Sequence, residues 1–392
     1  MNNVFTQLLW EAQSRVRVAG LVLGALLVMT FGCKRQVIDK DDLRNFQQVN
    51  LVANSWNYGP KLKDTTLLNA WGLAFSPGGI AWVNANGAGV SELYTAEGAK
   101  VRPAVLIPSP TDTMGGTPSG IVFSGGKGFK LSNGQGALFL FVNEDGVLSG
   151  WNGAANNKAL KIKDNSATSE YKGLAIASNG GANFIYAANF KTGKIDVWDT
   201  TWASVSMPFK DPGIPAGFAP FNIQAIGNWL YVSYAKVGPT GDDVKGPGNG
   251  FVSIFTTNGT FVRRFASRGS LNSPWGLAMA PAGFLEANDM DRDDNSNLGK
   301  DGPVGKIIGQ VFDKAQATIL VGNFGDGTIN VFTQDGTFQG HLQTHSKTIV
   351  IHGLWALSFP PSTATTVDPK RLYFTAGPNE EMDGLFGYLI KQ

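Results

Sequence analysis

Residues 171–199 read YKGLAIASNGGANFIYAANFKTGKIDVWD, and this stretch decides the fold. A short strand carrying Gly-apolar-Ala opens it, a second apolar strand ends at Asn189, and Gly193 sits in the turn. A third strand then alternates apolar with polar residues and ends in an aromatic. Alternation of period two marks half-buried strands, and Asn and Gly supply the positive φ that hairpins need.

The opening strand returns as NAWGLAF (69–75), PSGIVF (118–123), PFNIQAI (220–226), SPWGLAM (273–279) and GLWALSF (353–359). Taking Gly72, Gly120, Gly173, Asn222, Gly276 and Ala356 as markers, the period is about fifty residues, the length of one propeller blade. The last step is lengthened by an insertion, 282–316, in the fifth unit. The second and third strands repeat as IAWVNANGAGVSELY, FLFVNEDGVLSGWN and ILVGNFGDGTINVFT, each with Asn at a strand end and Gly before the next strand. A fourth strand follows, for example KVRPAVLI (100–107). The expectation is an all-β, six-bladed β-propeller with four-stranded blades over residues 46–392, with seven blades the alternative. The final unit stops after three strands, so FQQVNLVA (46–53) is expected to pair with GLFGYLI (384–390) and close the ring, which removes two exposed edges.

Composition agrees with one large β domain. Fifty glycines, ten tryptophans and 16% charged residues in 392 describe a turn-rich chain with ample core. A formal charge of +2, without a Lys/Arg cluster in the body, speaks against nucleic acid.

The N-terminus reads as a targeting segment. Arg15 and Arg17 precede an uncharged apolar run, Val18 to Phe31, too short to span a bilayer comfortably. The run ends Thr30-Phe31-Gly32-Cys33, which resembles a bacterial lipobox with Thr30 as its departure. Residues 1–32 are thus expected to be a signal peptide and Cys33 the lipidated N-terminus of the mature protein. An uncleaved anchor or another cleavage site is the alternative. Residues 33–45 read as a charged tether. The expected partner is membrane lipid through acylated Cys33, and the expected location is the cell envelope, at the outer membrane. With Cys33 the single cysteine, no disulfide framework exists.

In a propeller, the turn between strands two and three lies on the same face as the link between blades. That face collects Asn84, Asn143, Glu144, Asp145, Asn189, Lys191, Asp242, Asp243, Asn323, Asp326, Asn379, Glu380 and Glu381. It also collects the residues entering each first strand: Trp71, Tyr171, Lys172, Phe221, Trp275 and His352. Loops converging on an axis form the default binding region of such a ring. Each feature has a plainer reading too. The Asn series can cap its own hairpins, the aromatics can pack between blades, and the acids can form a solvated rim or a Ca²⁺ site. In the insertion, Asp289, Asp291 and Asp293 resemble a Ca²⁺ loop, but Asp294 stands where Gly is needed and Lys300 where Glu is needed. Catalytic signatures are thin. There is no thiol in the body, no nucleophile elbow and no phosphate loop, and His341, His345 and His352 all fall in one unit.

NAWGLAF, PAGFAPFNIQAIGNWLYVSYA, LNSPWGLAMAPAGF, VGNFGDGTINVF and LYFTAGPNEEMDGLFG resemble a family of uncharacterised exported bacterial proteins with NHL-like propellers. The resemblance covers nearly all of the mature chain and implies fold and export. Six-bladed lactonases and strictosidine-synthase-like hydrolases resemble it in architecture, but lactonases of that type begin blade one with a Glu ligand where this chain has Asn69-Ala70-Trp71. The expected function is a monomeric envelope module binding a protein, glycan or small molecule, with a metal-dependent hydrolase as the alternative.

Overall fold

The computed structural model describes residues 38–286 and 317–392; Cys33, the apolar run before it and Asp289, Asp291 and Asp293 lie outside the described residues. Within them the repeats fold as six antiparallel sheets, the blades of a six-bladed propeller. Blade one holds strands Ala70–Phe75, Ala81–Ala85, Val90–Tyr94 and Val105–Leu106 in that order from the axis outward. Blades two, four and five repeat the pattern from Pro118–Phe123, Phe218–Ile226 and Pro274–Met279. Blade three has three strands, Tyr171–Asn179, Ala182–Asn189 and Lys194–Asp199. In blade six, Leu354–Ser358, Leu372–Ala376 and Leu385–Lys391 are followed by Phe46–Ala53, antiparallel to Leu385–Lys391. Leu62–Lys63 adds two parallel pairs at its outer edge.

One irregularity recurs in every blade and positions the site. The register of the first strand slips at Ala70/Leu73, Pro118/Gly120, Tyr171/Gly173, Pro220/Asn222, Pro274/Gly276 and Leu354/Leu357. These are β-bulges, which leave a residue unpaired and re-aim its side chain. The glycine of the repeat sits at the bulge because neighbouring inner strands approach closely there. A Cβ at Gly72 would lie 2.2 Å from the Ser119 carbonyl oxygen, and one at Gly173 would lie 2.0 Å from Asn222 Oδ1. In blade four Asn222 replaces the glycine, and its amide donates to the Trp275 carbonyl in the next blade.

Residues 38–45 do not behave as a free tether. Within that polar stretch Ile38 and Leu43 are buried in the core shared by blades five and six, and Lys40–Leu43 forms a 3-10 turn. The Leu43 carbonyl accepts from Gln343 N–H, and Lys391 Nζ donates to the Asp42 carbonyl. Two apolar side chains sufficed to dock a segment whose charge pattern suggested solvent. Among the described residues no helix is long and apolar enough to cross a membrane.

Candidate functional site

The unpaired residues of the bulges are Trp71 with Gly72, Ser119, Lys172, Phe221, Trp275, and Trp355 with Ala356. These are the side chains that the six blades deliver toward the axis. Four are aromatic and join Phe190 and Phe324 in one buried cluster. Trp355 stacks on Trp71 at 3.7 Å and on Phe324 at 3.8 Å, and Trp275 meets both tryptophans edge-on. The cluster lies at the ends of the first and second strands where the blade links enter. On that face each turn between second and third strands is tied by backbone hydrogen bonds to the segment entering the first strand, as in Glu144 N–H to the Thr117 carbonyl and Phe190 N–H to the Glu170 carbonyl.

Lys172 is the one charged residue among these bulge residues. Its side chain is nearly all buried (6% exposed for the residue), and its Nζ lies 2.5 Å from Glu144 Oε1 and 2.7 Å from Glu170 Oε1. Burial works against its charge, but the two glutamates outweigh it and hold its pKa above the ordinary lysine value. The ammonium also lies over the Trp71 ring at 5.4 Å, while Lys245 lies over Phe324 at 4.2 Å. The three-ring stack Trp71–Trp355–Phe324 therefore has a cation at each end.

Carboxylates complete the cluster. Glu144 Oε2 accepts from Asn86, and Glu381 Oε2 accepts from Asn69, whose own Oδ1 takes the Trp355 indole N–H. Asn379, Glu380 and Glu381 all have φ between 53° and 67°. Three successive non-glycine residues in the left-handed region are strained, and the turn they form carries Glu381 to Asn69. Burial raises the pKa of Glu381, with Glu144 adding to it, and burial likewise raises that of Asp243, whose Oδ2 is buried without a hydrogen-bond partner among the described residues. An acid with a raised folded pKa favours the fold when protonated, so its contribution falls as pH rises through that value. Wild type should therefore lose stability relative to Glu381→Gln as pH climbs from about 4 toward 7, measured as urea midpoints at each pH. Parallel curves would mean that Glu381 is not perturbed.

The remaining expected residues are more scattered. Asn84, Asn143, Asn189 and Asn323 are all buried. Only some of their hydrogen bonds cap their own hairpins: Asn189 accepts from Thr192 N–H and Asn323 donates to Thr328 Oγ1. Asn84 instead donates to the Ser119 and Gly120 carbonyls of the next blade, and Asn143 to the Pro108 carbonyl in the link between blades. Tyr171 points between blades and donates to Asp196. Asp145 accepts from Val147 N–H in its own turn, and Asp242 is exposed and accepts from Thr240. His352 and Glu380 are exposed. Trp355, not His352, reaches the axis, and aligning GLWALSF on SPWGLAM by its tryptophan would have found it. Glu170, Lys245, Asn69 and Asn86 carry no repeat signal strong enough to single them out, whereas Phe190 and Phe324 share the position after the repeated Asn, Asn189 and Asn323.

Among the described residues no three His, Cys, Asp or Glu side chains converge as a metal-binding group. Asn69, where a lactonase-like ligand is sought, has both side-chain atoms engaged by Trp355 and Glu381.

No family model matches the chain. An uncharacterised protein of Acanthamoeba polyphaga mimivirus is 32% identical over 361 residues, covering 88% of this chain and 86% of the viral protein. A second uncharacterised protein of the same virus is 31% identical over 358 residues, covering 87% and 79%. Among solved structures, an auxiliary nutrient binding protein from Bacteroides ovatus is similar with a TM-score of 0.50 at 11% identity, covering 88% of this chain and 77% of that one, a likeness of fold alone.

Proposed function

This chain belongs to the family of the two uncharacterised mimivirus proteins, and on that premise we propose that it is a binding module taking a small polar ligand over Lys172. The observation that carries the reading is a buried lysine at an axial position where four other blades place aromatics. A buried ion pair is weak as a source of stability, because desolvation offsets much of the Coulombic gain. Buried charges at the converging loops of a rigid ring are therefore better explained by recognition. Lys172 and Lys245 offer donors, Glu144, Glu170 and Glu381 offer acceptors, and this mixture suits hydroxyl-rich ligands such as glycans.

A thermal scan against oligosaccharides and polar small molecules tests it. A ligand at a hundredfold excess over Kd should stabilise the fold by about 2.7 kcal/mol, and Lys172→Met or the exposed Lys245→Ala should remove most of that gain. In the same scan Ca²⁺, Mg²⁺, Zn²⁺ and chelator are expected to leave a variant lacking 287–316 unmoved, that deletion removing the acidic insertion as a rival Ca²⁺ site. A cation shift of several degrees that disappears in Asp242→Ala/Asp243→Ala would replace this reading with the metal-dependent hydrolase.

Export and anchoring form the second half of the reading. They rest on the apolar run ending at Gly32-Cys33 and on the resemblance to exported bacterial propellers, with the outer membrane as the destination. Two or three acyl chains anchor stably where one does not. Cells grown with a clickable fatty acid should label the wild type and not Cys33→Ala; equal labelling of the two would remove the lipoprotein.

A further inference from the structure

Blade three lacks the outer strand that its neighbours have. In blade two the fourth strand runs beside the third over Leu160–Asp164, and in blade four over Phe261–Ser267. In blade three one bridge, Trp198 to Ser204, is all that remains, and Val205 N–H donates to the Val197 carbonyl. Beyond Val205 the chain leaves the sheet for two reasons. Pro208 and Pro212 lack the N–H a ladder needs, and Val205, Met207, Phe209 and Ile214 pack into the core between blades three and four. Phe209 meets Tyr186 at 5.7 Å and Phe255 at 5.4 Å, and its N–H donates to the Gly259 carbonyl in blade four.

The edge of Lys194–Asp199 is thereby left open along its first half. Outward bonding of the Val197 carbonyl and the Asp199 N–H sets the alternation, so the N–H and C=O of Ile195 and the N–H of Val197 also turn outward. None of the three has a partner among the described residues. Beside them lies a groove of about 850 Å³, walled by Asn165 and Ser169 on one side and by Val205–Lys210 on the other. Lys194 and Lys210 line it and are exposed, and neither is in an ion pair among the described residues. Lys191, exposed, stands near its mouth. The one carboxylate in the lining, Asp196, is already held by Tyr171 and Asn189.

The geometry points to a β-augmentation site: an extended acidic segment of a partner polypeptide adds antiparallel to Lys194–Asp199 and supplies the missing outer strand of blade three. Main-chain hydrogen bonds to Ile195 and Val197 would provide register, and the lysines would select for Glu or Asp on the added strand. At about 3.3 Å per residue the open stretch accommodates roughly three to four residues. The site is independent of Lys172.

The test uses the full chain and a fluorescent hexapeptide of alternating valine and glutamate. Its comparators are the same peptide N-methylated at alternate residues and a lysine-for-glutamate version. Saturable anisotropy is expected for the acidic peptide, at least tenfold weaker for both comparators and for Lys194→Glu/Lys210→Glu, whose exposed substitutions should leave the melting temperature unchanged. Hydrogen exchange should slow at Ile195 and Val197 when peptide is added. No binding up to millimolar peptide, binding indifferent to N-methylation, or protection elsewhere would overturn the proposal. So would protection of Ile195 that appears with protein concentration alone, since a second copy would then fill the edge.

Discussion

A chain beginning at Asn54 is expected not to fold cooperatively, whereas one beginning at Lys34 melts as a single domain. Deletion through Ala53 removes Phe46–Ala53, whose pairs with Leu385–Lys391 run from Phe46↔Lys391 to Ala53↔Leu385. It also removes Ile38, Leu43, Phe46, Leu51 and Val52 from the cores they help to fill. At about 1.5–3 kcal/mol for each buried apolar side chain, the loss is on the order of 10 kcal/mol. That is comparable with the ~5–15 kcal/mol by which a domain is usually stable. Two sheet edges would be exposed as well, one on Leu385–Lys391 and one on Leu62–Lys63, so aggregation is the expected fate. Circular dichroism melts and soluble yield measure the outcome. Equal melting temperatures for the two chains would show that the ring does not depend on this strand.

The second large effect is expected at Lys100. Its Nζ lies 2.7 Å from Asp64 Oδ2 and 2.9 Å from Glu92 Oε2, the latter an ion pair without an aligned hydrogen bond. Glu92 is wholly buried and Asp64 nearly so. Thr66 bridges the two carboxylates and Tyr94 donates to Asp64. Burial alone would raise the pKa of Asp64, but hydrogen bonds from Lys100, Thr66 and Tyr94 outweigh it and hold the carboxyl below its ordinary range. A depressed folded pKa contributes stability above the unfolded value and loses it as pH falls through the folded one. Wild type should therefore weaken on the acid side. Lys100→Met leaves two buried carboxylates without their cation, a change that costs about 3–5 kcal/mol. Without the Lys100 hydrogen bond the Asp64 carboxyl would lose its largest lowering contact and its pKa would rise, so the variant should recover relative to wild type on the acid side, reversing the slope. Urea denaturation across pH measures both effects. A deficit that is small, or constant across pH, would mean that solvent reaches the pair.

These two effects differ in how visible they were. Phe46–Ala53 was legible because the final unit stops one strand short, while the docking of Ile38 and Leu43 was hidden by the charges around them. The Asp64–Glu92–Lys100 triad was not legible, because it joins the segment before blade one to its third strand and to the turn that follows. The marker glycines were visible as a repeat, but their cause was not. Gly173 is required by Asn222 in the next blade, a contact that no local pattern contains.

The sequence by itself determined the unit and its number. Period-two alternation, the Asn and Gly of the hairpins and the spacing of about fifty residues are local properties that each blade expresses alone. Only the tertiary structure decided which residues reach the axis. A bulge in each first strand turns Trp71, Lys172, Phe221, Trp275 and Trp355 inward, and a one-residue slip in register exchanges the faces that side chains occupy. What each meets there depends on blades more than a hundred residues away: Lys172 lies over Trp71 and its carbonyl takes the Trp275 indole N–H. The two glutamates around Lys172 come from its own entry segment and the preceding blade, whereas its two tryptophans come from blades one and five, which only the assembled ring brings beside it.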